Sequence, residues 1–356
     1  LGALGNLVQR VGDQLVCAVP AWLWRPRRRA DGLEADLRFS LPPGVRASVA
    51  FQADGDGYRL EPSALAFDSY AAFGDFSEIA LSLEGTRAHI ALLGELPEID
   101  RAQLSRWLRA QVELGAESDG RFPTRSLQVL VMPMNLGSEP FGNVARGGGA
   151  SVLLLVPTSF DAATLTRDWV LPHELSHLLL PFLAREDAWL AEGFATYYQE
   201  VLRARAGLIS PAEALSNIAS ALRSARREAG AESLCEQSRR MHQTHGYRAV
   251  YWGGAGHWLN VDMALRAAGA GQPTLDTLLT WLRAEARLAP PYRAQELLAM
   301  LDQRSGTRLF SALLADCQSR PFPEFEASLR ALGVGEHGVL DESSSLRDAL
   351  FAPQVK

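Results

Sequence analysis

From Leu33 to about Leu93 the chain changes repeatedly between short runs that alternate apolar and polar residues and clusters of turn formers. Ala35-Asp36-Leu37-Arg38-Phe39 gives way to Pro42-Pro43-Gly44, and Ala47 to Phe51 gives way to Asp54-Gly55-Asp56-Gly57. Successive side chains of a strand point to opposite faces, so a period of two bounded by Gly, Pro and Asp predicts half-buried strands of an antiparallel β domain. Ile79 to Leu83 and Ala88 to Leu93 read as two more such strands. The period then lengthens. Leu104, Leu108 and Val112 form one stripe of a helix predicted over Ile99 to Leu114, which opens the next domain.

Ser126 to Met132 and Ala150 to Val156 are apolar runs rich in Val and Leu, separated by a loop holding Gly142, Gly147, Gly148 and Gly149. They predict strands of a sheet laid over the helices that follow, Asp168 to Leu180 and Ala188 to Leu202, which a turn containing Pro181 joins. Pro172 lacks the N–H of an interior helical turn, so the first of these helices either begins near Leu171 or is kinked there. Beyond residue 205 the pattern is helical to the end. Ser210-Pro211-Ala212-Glu213 has a hydroxyl cap, proline at the first helical position and Glu three after the cap. Later helices are predicted at Trp258 to Ala267, Leu275 to Ala286, Ala294 to Asp302 and Leu309 to Cys317. The pattern predicts an α+β multidomain chain: an N-terminal β-sandwich-like antiparallel domain over 1–95, a mixed core over 96–230 and a C-terminal α-helical domain over 231–356.

At 356 residues and 38.8 kDa the chain exceeds one ordinary hydrophobic core, which fits this division. Apolar residues at 47% against 21% charged mark a globular protein. A net charge of −6 lacks the broad positive surface that phosphate backbones need, so nucleic acid is not an expected partner. The longest apolar runs, Ala150 to Pro157 and Leu178 to Ala184, fall far short of a bilayer span, and no transmembrane segment is expected. The sequence starts at Leu1 without Met, so the compartment stays open, with a periplasmic or secreted setting favoured over the cytoplasm. Cys17, Cys235 and Cys317 are too few and too scattered for a disulfide framework or a metal cluster. Buried free thiols are expected rather than a Cys235–Cys317 bridge.

The chemistry concentrates in His173-Glu174-Leu175-Ser176-His177. Two histidines four apart on a helix share a face one turn from each other, so both imidazoles can reach a single ion with Glu174 beside them. Glu192, in Trp189-Leu190-Ala191-Glu192-Gly193-Phe194, would complete a two-His, one-carboxylate set and leave the fourth tetrahedral position open to water. That is the layout of a zinc hydrolase, holding one zinc ion. The edge strand of the overlying sheet can pair with an extended peptide, which makes Gly147, Gly148, Gly149 and Ser151 candidate substrate-binding residues; a hairpin loop without that role is the alternative.

Taken together, His173 to His177, Trp189 to Tyr198 and Tyr251-Trp252-Gly253-Gly254-Ala255-Gly256 resemble the gluzincin metallopeptidases, most closely the glycyl aminopeptidase family. Leu41-Pro42-Pro43-Gly44, Asp68-Ser69-Tyr70 and Phe73-Gly74-Asp75-Phe76 are similar to that family's N-terminal β domain. The resemblance implies a thermolysin-like catalytic domain with zinc ligands His173, His177 and Glu192, Glu174 as general base, and Tyr251 donating to the oxyanion formed from a peptide substrate. Two departures stand out: the interval from His177 to Glu192 is short, and Gly147 to Ser151 lacks the carboxylate with which the relatives hold a free α-amine. Aminopeptidase and endopeptidase action both stay open, as does a catalytically silent peptide-binding protein that keeps the fold.

Overall fold

The computed structural model describes residues 8–28, 32–83, 85–95, 101–115, 122–135, 140–159, 161, 168–269, 271–286, 290–336, 338 and 344–352. It divides into two compact units, one ending at Leu178 and the other beginning at Leu179.

The first unit opens with strands β1 (Val8–Val11), β2 (Gln14–Ala18), β3 (Ala35–Leu37), β4 (Arg46–Val49), β5 (Gln52–Asp54) and β6 (Gly57–Leu60), the short helix α1 (Pro62–Ala66) and strand β7 (Tyr70–Gly74). These make a four-stranded sheet in the order β1-β2-β7-β4 and a three-stranded sheet β3-β6-β5, all antiparallel. The predicted period of two is the cause: Val49, Phe51, Leu60 and Ala71 turn inward onto one apolar cluster.

A third, five-stranded sheet is built from β8 (Ser77–Leu83), β9 (Thr86–Leu92), β10 (Ser126–Met134), β11 (Phe141–Ala145) and β12 (Ala150–Pro157), in the order β11-β12-β10-β9-β8. β10 runs parallel to β9 and β12, and the outer pairs are antiparallel. β10 and β12 are apolar throughout because both faces are covered. Leu127, Val129, Val152 and Leu154 face helix α2 (Arg101–Gly115), through Leu104, Leu108 and Val112, and helix α3 (Val170–His177), through Val170, Leu171 and Leu175. Leu130, Met132, Leu153 and Leu155 face Val16, Tyr70 and Ala72 of the first sheet. The sheet runs across the predicted boundary at residue 95: β8 and β9 alternate like the strands before them, yet they pair with β10.

The second unit is helical: α4 (Ala188–Arg205), α5 (Pro211–Glu228), α6 (Leu234–Thr244), α7 (Tyr247–Ala267), α8 (Leu275–Glu285), α9 (Ala294–Ser305), α10 (Leu309–Ser319), α11 (Glu326–Ala331) and α12 (Ser345–Phe351). Ser210 caps α5 as predicted, its hydroxyl accepting from the Glu213 N–H at 3.1 Å. The expected free thiols are corrected at one pair. Cys235 on α6 and Cys317 on α10 form a disulfide with Cα atoms 5.3 Å apart, and only Cys17 is free. Their separation of 82 residues hid the pairing, which packing of α6 on α10 creates.

Among the described residues, no helix is long and apolar enough to cross a membrane.

Candidate metal centre

Helix α3 starts at Val170, which places Pro172 in the first turn and leaves no kink. Asp168 explains the start. Its carboxylate accepts from the N–H groups of Val170 at 3.1 Å and Leu171 at 3.0 Å, Pro172 has no N–H, and the His173 N–H already reaches the Trp169 carbonyl at 3.0 Å. The first-turn donors, which normally lack partners, are therefore satisfied. His173 and His177 share a face with ring centroids 4.9 Å apart, and the Trp169 ring stands edge-on to His173 at 6.0 Å. Strand β11, at the sheet edge, covers Glu174: a Cβ at Gly142 would lie 2.5 Å from Glu174 Cγ and 2.7 Å from Val170 Cγ1, so only glycine permits this approach.

Helix α4 presents Glu192 by a different route. A Cβ on neighbouring Gly193 would sit 2.4 Å from the Gly254 backbone of α7, and one on Gly254 would sit 1.9 Å from the Trp189 carbonyl oxygen. The two helices thus cross backbone to backbone, with Trp258 Nε1 donating to the Leu190 carbonyl at 2.9 Å. This crossing accounts for Gly254; Gly253 faces elsewhere, where a Cβ would lie 2.8 Å from the Leu234 side chain of α6. Tyr251 precedes the contact by one turn, half-buried, its ring edge-on to Tyr247 at 6.4 Å.

His173, His177 and Glu192 each offer one ligand atom, and these atoms lie within 4.8 Å of one another. Donors around a tetrahedral ion with bonds of about 2.0–2.2 Å stand roughly 3.3–3.6 Å apart, a difference that small side-chain rotations remove. Two imidazoles with one carboxylate is also a donor set that suits zinc and leaves a coordination position over. His242 and His245 stand outside this group. His242 Nδ1 lies 3.2 Å from the Tyr247 hydroxyl, and His245 ends α6 in the left-handed region at φ 55°.

The segment proposed as a substrate lip has another task. Gly147 donates its N–H to the Asp68 carbonyl at 2.9 Å, a Cβ at Gly148 would lie 2.6 Å from the Phe51 ring, and one at Gly149 would lie 2.3 Å from the Ala50 carbonyl oxygen. Ser151 is fully buried; its hydroxyl donates to Gln128 Oε1 at 2.5 Å and accepts from the Tyr70 N–H at 3.2 Å. Glycine is needed here for close approach to the N-terminal sheets, and β11, not β12, is the edge strand on this side of the five-stranded sheet.

Three residues around Glu174 and the histidines were not singled out from sequence. Asp168 carried a legible signal, an acidic residue just ahead of a helix. Arg146 carried none: its Nη2 donates to the carbonyl of His177, 31 residues away. Burial lowers the Arg146 pKa to about 10, which leaves it charged at neutral pH. Burial, then the charges of Glu174 and Asp68, raise the Tyr70 phenol to about 12, so it stays protonated and donates to Asn143 Oδ1 of β11 at 2.5 Å.

The family model of the M61 glycyl aminopeptidases matches residues 183–254, a stretch that holds Glu192 and Tyr251. No curated protein matches the chain. Among solved structures, an aminopeptidase N family protein from Idiomarina loihiensis superposes with a TM-score of 0.68 at 18% identity, covering 90% of this chain and 61% of that one. An M1 zinc metallopeptidase from Deinococcus radiodurans gives 0.58 at 17% identity, covering 89% and 72%, and a variant of it has been solved with a Tyr-Ser-Ala substrate. Leukotriene A4 hydrolase from Saccharomyces cerevisiae gives 0.52 at 13% identity, covering 83% and 48%. These similarities are of fold, and with the M61 match they support a gluzincin-type peptidase fold. The chain spans about three fifths of the length of the Idiomarina protein.

Proposed function

We propose that this protein is a zinc-dependent peptidase, aminopeptidase-like, in which His173, His177 and Glu192 hold one zinc ion and Glu174 and Tyr251 act on the peptide bond. The observation that carries this reading is the convergence of the three ligand atoms within 4.8 Å on helices that also carry Glu174. Zinc held there would acidify a bound water toward a pKa of about 7 and polarise the scissile carbonyl. Glu174, 8% exposed under Gly142, takes the proton of the attacking water and returns it to the leaving amine. Tyr251 donates its phenolic hydrogen to the developing oxyanion. An extended peptide adds to the outer edge of β11, which brings its backbone past Glu174.

Endopeptidase action is the second reading, favoured by one observation. Residues 140–151, the edge strand and its following loop, contain no Asp or Glu, and a buried ammonium without a carboxylate partner is costly. The disulfide Cys235–Cys317 fits a protein that matures in an oxidising compartment.

Metal content and cleavage of a mixed peptide library by wild type and Glu174→Gln test the reading. The wild type is expected to cleave with about one zinc bound, and Glu174→Gln to keep its zinc while losing about 10²–10⁴-fold in kcat. Products released one residue at a time mark exo action, and internal fragments mark endo action. Undiminished cleavage by Glu174→Gln removes that carboxylate from the mechanism. A zinc-loaded wild type that binds peptides without cleaving them is instead a silent binding protein.

A further inference from the structure

We propose that Asp168 and Arg146 clamp α3 from its two ends and thereby set the directions of His173 and His177; the inference rests on the zinc reading above. At eight residues α3 has about two turns, far below the roughly 12–15 residues at which a helix persists by itself in water. In so short a helix nearly every peptide group belongs to an end, where the N–H or carbonyl has no partner in the helix. Here the ends are engaged by side chains of matching sign. The Asp168 carboxylate, 4% exposed, takes the N–H groups of Val170 and Leu171, where the helix dipole is positive. The Arg146 guanidinium donates to the carbonyl of His177, where the dipole is negative.

The second contact matters more for the metal. His177 is the last residue of α3, so its peptide carbonyl has no helical N–H four residues on, and the chain leaves the helix at Leu178. Arg146 holds that carbonyl, and the peptide plane fixes where the His177 imidazole points. Arg146 is itself firmly placed. It lies between β11, whose Gly142 rests on Glu174, and Gly147, whose N–H is bonded to the Asp68 carbonyl at 2.9 Å. The sheet thus dictates the attitude of the ligand helix through one guanidinium. Both residues are positioning residues that act on the ligands through α3, and partners of this kind affect metal affinity by about 10–100-fold.

The test is the zinc dissociation constant of the full chain, measured by chelator competition for wild type, Arg146→Met, Arg146→Lys and Asp168→Asn, beside the Tm of each metal-free form. Arg146→Met is expected to weaken zinc binding about 10–100-fold, with Arg146→Lys intermediate because it keeps the charge and loses the planar fork. Asp168→Asn, which keeps one acceptor oxygen, is expected to show a smaller loss. Peptide cleavage by the Arg146 variants should return at excess zinc with KM unchanged. Should Arg146→Met not fold, the Lys and Asn variants carry the same readout. Zinc affinities within twofold of wild type in every folded variant overturn the clamp while leaving the peptidase reading intact. A wild type that binds no zinc defeats both.

Discussion

The two helices that supply the proposed ligands are held in place by opposite physical means. α3 is short, lies on a sheet, and is fixed by polar contacts to its ends and by a glycine of the edge strand. α4 is 18 residues long, buried along nearly its whole length, and fixed by a glycine-on-glycine crossing with α7 and by ionic contacts around its C-terminal half. Arg205 makes a two-pronged pair with Asp276 at 2.8 and 2.9 Å, Arg266 joins Asp262 and Asp276, and Tyr197 and Tyr198 donate to the two aspartates. Burial raises the Asp276 pKa, but the charge of Arg205, the hydrogen bonds from Arg205 and Tyr198 and the charge of Arg266 together outweigh it and bring the carboxyl down to about 2. Arg205 and Arg266 also donate to the carbonyls of Leu350 and Ala349, which ties α12 to the same cluster. Length and apolar burial position a ligand where the helix is long; a short helix depends on what grips its termini. Damage to the α4 side should therefore appear first as lost stability, and damage to the α3 side first as lost metal affinity.

The largest expected effect comes from Gly254→Ala. Its methyl would lie 1.9 Å from a carbonyl oxygen, so α4 and α7 must separate. A loss of about 3 kcal/mol or more, or about 6–12 °C in Tm, is expected from overpacking that cannot relax. A shift under 2 °C would show that the crossing is loose and would break the comparison at its root.

Next is acid sensitivity. Burial lowers His257 to a pKa of about 3 from 6.5, with Asp316 3.9 Å away and Trp189 edge-on at 5.6 Å. The folded state therefore holds this imidazole neutral. Its contribution is complete above pH 6.5 and is lost as pH falls from 6.5 toward 3, at up to about 1.4 kcal/mol per pH unit. Measured as Tm against pH, the metal-free wild type should lose stability across that window more steeply than His257→Leu; parallel curves would place the imidazole in contact with water.

Reduction of Cys235–Cys317 is expected to lower unfolding free energy by about 2–4 kcal/mol, read from denaturant melts with and without reductant. The smallest effect belongs to the first unit. Ser151→Ala removes the hydroxyl that accepts from the Tyr70 N–H and donates to Gln128 Oε1, while Gln128 Nε2 keeps its bond to Ser48 Oγ, and should cost about 1–2 kcal/mol with KM for peptides unaltered. A raised KM there would restore Ser151 to the substrate site.

Much of this architecture was legible residue by residue, because helix and strand periods, caps and the four-residue spacing of His173 and His177 are local properties of the chain. The Ser210 cap, the runs that became β10 and β12, and the carboxylate of Glu192 on the next helix were all read this way. What escaped was set by contacts between distant segments. β8 and β9 look like their predecessors but pair with β10, and Gly147 to Gly149 look like a loop but seat a backbone against Ala50 and Phe67. Cys235 finds Cys317 across 82 residues, and Arg146 finds a carbonyl on a helix that its own surroundings do not mention.

The sequence by itself determined which side chains are able to bind a metal and which face of a helix bears them, since both follow from residue type and the pitch of the backbone. Only the tertiary structure decided which strand is the edge, which cysteines meet and what holds the ligand helix at its ends. Each of these depends on close packing of segments far apart in the chain, and no local period encodes that.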